Sequence, residues 1–114
     1  MGTNYGRTLG RRDPRLAPTE KATRDDIVWA AGIFEGEGSS YLGRRSSAIV
    51  CVPQKDRWLP DRLRALFGGN VYKEKKRIQF HWQACGARAR GFLMSIYGLL
   101  SPRRQEQVRK ALLK

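Results

Sequence analysis

Apolar positions along this chain recur at two spacings, and the change from one to the other marks out the elements. Residues 1–22 show neither: Gly, Pro, Thr and Arg are mixed without apolar periodicity, nothing offsets the entropy of ordering them, and a flexible basic arm is expected. Thr23 followed three residues later by Asp26 has the form of a capping box, in which N-cap and N3 side chains satisfy free backbone donors. A helix is therefore expected over 24–36. Residues 39–42 and 48–52 are β-prone runs parted by Gly43-Arg44-Arg45-Ser46, a hairpin with a basic tip in which Ala48, Val50 and Val52 share one face. Leu59, Leu63, Leu66 and Phe67 then fall on one side of a helix, with Pro60 in its first turn and Gly68-Gly69-Asn70 as its stop. A second hairpin pairs 71–73 with 78–82. There Ile78, Phe80 and Trp82 alternate with Arg77, Gln79 and His81, giving one buried face and one wet, cationic face. A helix over 87–97 follows, and Ser101-Pro102 supplies N-cap and N1 of a terminal helix. The expected class is α+β, in the order αββαββα with a closing helix, as a single domain over 23–114.

The 114 residues suffice for one hydrophobic core and not for two of ordinary size. A formal charge of +13 and a pI of about 10.7 give a long-range attraction for polyanions, which makes nucleic acid the first partner to consider. No membrane partner is expected, because the longest apolar run near the C-terminus, 91–100, is broken by Ser95 and Gly98 and falls far short of a bilayer span. The first 21 residues carry Arg7, Arg11, Arg12 and Arg15 but no apolar core, so they are not expected to act as a signal peptide. Cys51 and Cys85 have no CxxC partner and no clustered histidines, which argues against a zinc knuckle or a disulfide framework. A reducing, cytoplasmic compartment is the expectation.

Chemistry concentrates in Trp29-Ala30-Ala31-Gly32-Ile33-Phe34-Glu35-Gly36-Glu37-Gly38. This helix contains features that weaken a helix: Gly32 and Gly36 each cost roughly 1 kcal/mol against alanine, and carboxylates at its C-terminal end face the negative end of the dipole. Trp29, Gly32, Ile33 and Gly36 lie along one stripe, so the glycines form a groove that a second backbone can approach closely, while Ile27, Ala31 and Phe34 remain for the chain's own core. If a symmetry-related helix fills that groove, two copies of Glu37 arrive side by side and need a cation between them. Hard oxygen ligands select Mg²⁺ or a similar divalent ion.

This stretch resembles the signature helix of the LAGLIDADG homing endonucleases, which has small residues along its seam and ends in acidic-Gly-acidic-Gly, here Glu35-Gly36-Glu37-Gly38. The likeness extends over most of 23–114: motif helix, two hairpins, an intervening helix ending Leu66-Phe67-Gly68-Gly69, and the helices after them. It implies an antiparallel sheet that straddles double-stranded DNA and a motif helix at a homodimer interface, formed by Trp29, Gly32, Ile33 and Gly36. Each subunit would give one metal-binding acid, by position Glu37, with the Gly36 carbonyl as a second ligand. Val52-Pro53-Gln54-Lys55-Asp56 is similar to the segment where a strand ends in a polar residue near the active-site water, which places Gln54 there. The basic residue opening the terminal helix is assigned to Arg103 over Arg104. DNA contacts are expected from Arg44, Arg45, Ser47, Ile49, Cys51, Lys73, Lys75, Arg77, Gln79 and His81. Two departures stand out. The acid is glutamate where aspartate is common, and the interval from Glu37 to Gln54 is short, so the first hairpin must be stubby.

The function implied is a site-specific homing endonuclease, of the kind carried by mobile introns or inteins, that hydrolyses phosphodiester bonds on both strands with divalent metal and leaves staggered ends across the minor groove. The alternative is the same fold with cleavage lost, as a DNA-binding regulator or a maturase whose partner is intron RNA. A general basic protein on RNA fits the charge and not the acidic motif. Glu35 is assigned a structural bond, not a metal. Ile49 and Cys51 fit thymine methyl contacts and plain surface equally well.

Overall fold

A computed structural model describes residues 14–113. Helix α1 (Arg24–Glu37) starts where the capping box expects it: the Asp26 N–H donates to Thr23 Oγ1 at 3.1 Å, and the Thr23 N–H donates to Asp26 Oδ2 at 2.9 Å. The bond from the Thr23 backbone, then that from its hydroxyl, holds the Asp26 carboxyl below its ordinary 3.8, with Arg62 adding to the effect. Because the folded value is the lower one, this carboxylate's contribution to stability is complete above pH 3.8 and is lost as pH falls through the folded value. The melting-temperature gap between wild type and Asp26→Asn is therefore expected to close on acidification below that point, and a gap that widened would contradict the capping box.

From α1 the chain runs into β1 (Ser39–Leu42), turns, and returns as β2 (Ala48–Gln54); α2 (Trp58–Phe67) leads to the hairpin of β3 (Asn70–Glu74) and β4 (Gln79–Cys85), and α3 (Ala87–Ile96) and α4 (Pro102–Leu112) close the domain. The sheet is antiparallel in the order β1-β2-β4-β3, with Ser39 opposite Cys51, Val52 opposite Trp82 and Tyr72 opposite His81. Strand alternation does the expected work: Ala48, Val50, Val52, Trp82 and Ala84 are buried toward the helices. Phe92 of α3 is the hub of the core, meeting Phe34, Phe67 and Trp82 edge to face at 6.1, 4.9 and 5.0 Å. The indole N–H of Trp82 donates to the Gly68 carbonyl at 2.8 Å, so this large side chain is buried without an orphaned donor. Gly69, at φ +98°, lets the backbone pass where a Cβ would sit 2.6 Å from the Gln83 carbonyl oxygen.

The expected arm over 1–22 is corrected at its inner end. Residues 1–13 lie outside the described residues, but 14–22 are fastened to the domain. The Thr19 and Glu20 N–H groups both donate to the Ala65 carbonyl at 2.9 and 3.0 Å, Gly69 N–H donates to Leu16 O at 2.8 Å, and Arg62 pairs with Glu20 at 2.8 Å. Main-chain bonds and ion pairs of this kind leave no apolar periodicity in a sequence, which is why composition alone suggested a free segment. No helix among the described residues is long and apolar enough to cross a membrane.

Candidate functional site

The acidic end of α1 has a different physical reason for each residue. Phe34 points into the core, fully buried. Glu35 accepts from the Ser101 N–H at 2.9 Å and from Ser101 Oγ at 2.7 Å, so it caps α4 from outside while the Ser101 hydroxyl also accepts the Arg104 N–H at 3.3 Å. The backbone and hydroxyl bonds from Ser101 hold the Glu35 carboxyl below its ordinary range, with the charges of Arg104 and Arg103 acting in the same direction. Arg104 Nε donates to the Glu35 carbonyl at 3.0 Å, and its guanidinium lies 5.5 Å from the centre of the Phe34 ring. Arg104 is thus a clamp between α1 and α4, whereas Arg103, beside it, is exposed. Gly38 must be glycine for intrachain reasons, since a Cβ there would fall 2.2 Å from Phe34 Cδ1.

Glu37 is left over. It ends α1 exposed, and no described residue gives it a hydrogen bond or an ion pair. Gly32 and Gly36 are exposed as well, with nothing among the described residues within 4 Å of a Cβ built on either. Trp29 and Ile33, beside them, are half-buried, and Val28 extends the same exposed side at 46% exposure, a residue that the spacing argument missed. Trp29 also meets the ring of the exposed Trp58 edge to face at 6.0 Å. Gln54 ends β2, three residues beyond the Cys51 that pairs with Ser39, and so lies at the end of the sheet where α1 enters. Among the described residues no three His, Cys, Asp or Glu side chains converge as metal ligands. The end of α1 therefore offers one exposed carboxylate with backbone carbonyls beside it, not a closed coordination shell.

The sheet face turned away from the helices carries Ile49, Cys51, Gln79 and His81, as alternation predicts. Lys73 is placed differently: it pairs with Phe80 on the helix side, its ammonium 6.0 Å from that ring. The signal was present in the sequence, because Lys73 shares parity with the apolar Val71. Open-face positions in β3 belong instead to Asn70, Tyr72 and Glu74, and β4 adds Gln83. Cations gather at the two hairpin tips. Arg44 and Arg45 lie in the first, Arg45 at φ 62°, with half-buried Ser47 closing the turn by accepting the Gly43 N–H at 2.7 Å. The second holds exposed Lys75, Lys76 and Arg77, followed by Ile78, which alternation assigns to the buried face but which lies in the turn before β4 at φ 50° and 69% exposure. The face between the tips has amides, rings and one acid, and no lysine or arginine at any of its strand positions.

Helix seam and exposed acid thus share α1, which leads directly into the sheet with its cationic tips. No protein-family model and no curated protein sequence matches the chain. Solved structures do. An archaeal intron-encoded homing endonuclease, I-Vdi141I, complexed with DNA, superposes with a TM-score of 0.61 at 13% identity over 74% of this chain and 63% of its own. The homing endonuclease I-CvuI, in complex with the I-CreI target in 2 mM Mg and with the DNA not cleaved, gives 0.59 at 15% identity over 75% and 62%. The homing endonuclease I-TnaI gives 0.57 at 18% over 75% and 67%. The chain spans a little over three fifths of the length of the first two. Likeness at these identities establishes the architecture, and the fold of this chain is that of the LAGLIDADG homing endonucleases.

Proposed function

We propose that the chain is a homodimeric endonuclease that binds double-stranded DNA across its open sheet and cuts both strands with a divalent cation. The observation that carries this reading is the pair of open glycines leading to Glu37. Gly32 and Gly36 each cost α1 roughly 1 kcal/mol against alanine, and nothing among the described residues needs them small. A second α1 packed along that seam gives them a reason and brings the second Glu37 to the first. The cation-tipped sheet, and the DNA named with two of the similar structures, support the substrate.

The donors available at this corner fit a hard cation: an exposed carboxylate on Glu37 and the backbone carbonyl of Gly36. Bound there, Mg²⁺ would supply charge to the scissile phosphate and lower the cost of ionising water. Glu37 would hold the ion from each subunit. Gln54, at the strand end on the same side, would orient water by its amide, and exposed Arg103 would offset the charge that develops on phosphate. Arg44, Arg45, Lys75 and Arg77 at the tips would fix the duplex by its backbone, which positions without specifying. To test this, duplexes selected from a randomised library in Ca²⁺ are transferred to Mg²⁺ and scored for a double-strand cut. Tight binding to one site without cutting in Mg²⁺, Mn²⁺ or Co²⁺ would replace the enzyme with a DNA-binding regulator.

Release of condensed counterions from phosphates should dominate the affinity. Between about 50 and about 200 mM salt, a complex with several tip contacts per subunit is expected to weaken by roughly a thousandfold or more. A dissociation constant nearly independent of salt, followed by fluorescence anisotropy, would refute binding across the cationic tips.

A further inference from the structure

Among the described strand positions of the open face, Glu74 is the one acid. A carboxylate facing a phosphate-lined groove lowers affinity for any duplex, and on a chain of charge +13 it stands out. It is also held firmly. Glu74 Oε1 lies 2.8 Å from His81 Nε2, the His81 ring stacks on Tyr72 at 5.1 Å with 6° between the planes, and His81 Nδ1 is 3.4 Å from Cys51 Sγ. Burial, with the Glu74 charge adding to it, pushes the Cys51 thiol up to about 11, so at neutral pH the sulfur keeps its hydrogen and can donate it to Nδ1. In the tautomer that this donor favours, Nε2 carries the ring hydrogen and donates to Glu74. Both ring nitrogens of His81 are engaged within the chain, and neither is left to meet a base.

We propose that Glu74, oriented by His81, reads the N4 amino group of a cytosine in the major groove. This rests on the reading of the chain as DNA-binding. The chemistry of the neighbours selects base edges over phosphates: Asn70, Gln79 and Gln83 on the same face are amides, whose bidentate match is adenine, while carboxylates accept from cytosine N4. Among the described residues no guanidinium, the group that most often reads guanine, occupies an open-face strand position. His81 is thereby a positioning residue, with one Glu74 oxygen fixed on Nε2 and the other left as acceptor.

Duplex sites are selected from a randomised library, in Ca²⁺ at fixed salt, with wild type, Glu74→Ala, Glu74→Gln and His81→Ala. Wild type is expected to enrich cytosine at one position of each half-site, by about tenfold over other bases. Glu74→Ala should lose that preference alone, keep the preferences at neighbouring positions, and bind non-specific duplex more tightly because an anion has left the groove. Glu74→Gln should move the preference toward adenine. His81→Ala should blunt it at the same position, which a merely structural role would not do selectively. Retained neighbouring preferences show that each variant is folded. The same base preferences in wild type and both Glu74 variants would overturn the proposal, as would a wild-type site without a cytosine that these substitutions affect. Duplex binding without sequence enrichment would overturn it while leaving DNA binding intact, and failure to bind any duplex would remove both.

Discussion

Glu37→Gln is expected to leave a folded dimer that still binds DNA, with double-strand cleavage reduced by roughly a hundredfold to a thousandfold or more. The substitution keeps the size of the side chain and removes the charge that would hold the cation, and because Glu37 is exposed and touches no described partner, the fold has nothing to lose. Affinity should persist, or rise as repulsion from phosphate is relieved. Glu35→Gln supplies the control two residues away. It weakens the bonds to the Ser101 backbone and hydroxyl that join α1 to α4, so it should lower the melting temperature while cutting by the remaining folded dimer falls less. Binding is measured in Ca²⁺ and cleavage after exchange into Mg²⁺. Full activity of Glu37→Gln would refute the ligand assignment. Equal losses of stability in the two variants would show that both acids are structural.

Gly32→Leu should abolish self-association and, with it, cutting, while making the isolated chain no less stable. Space decides this outcome. Among the described residues nothing lies within 4 Å of a Cβ at Gly32, so in the single chain a leucine side chain starts into open space and removes a helix-interior glycine that costs roughly 1 kcal/mol. Between two helices the same side chain would hold the backbones apart. Gly38→Ala should behave in the opposite way, destabilising the chain, because its Cβ would collide with the Phe34 ring. Sedimentation velocity and thermal melting separate the two effects. A wild-type protein that stays monomeric in solution and on DNA would leave the open glycines unexplained and Glu37 without its counterpart.

Much of the architecture was legible because local and global preferences agree. Thr23 with Asp26, Ser101 with Pro102, and the run Ala48, Val50, Val52 each announce an element by side-chain chemistry that acts within a few residues, and each lies where expected. Contacts between distant segments were not legible. The bond from Glu35 to Ser101 spans 66 residues, and the choice between Arg103 and Arg104 depended on which of them reaches back to Glu35. Lys73 was grouped with Lys75 and Arg77 as a DNA contact because β3 offers a single apolar anchor, Val71, from which to read its parity, and the pairing with Phe80 puts it on the helix side. Glu74 disappeared into that run of charges, although only the register with β4 reveals it beside His81. Residues 14–22 were misread because main-chain bonds hold them, and those carry no side-chain signature.

The edges of the sheet bear on how copies of this chain meet. β1 is four residues long and packs against α4, which leaves β3 as the open edge, running Asn70–Glu74 into Lys75, Lys76 and Arg77. An unpaired edge invites another strand to add by its backbone, the route to misassembly and fibres, and charges along it are the usual guard. Five consecutive ionisable residues from Lys73 to Arg77, four of them basic, oppose the same stretch of a second copy. Sheet extension is thus discouraged in the absence of a polyanion, and the stretch 27–34 of α1, which carries no charge, is the surface through which two chains can approach without that repulsion.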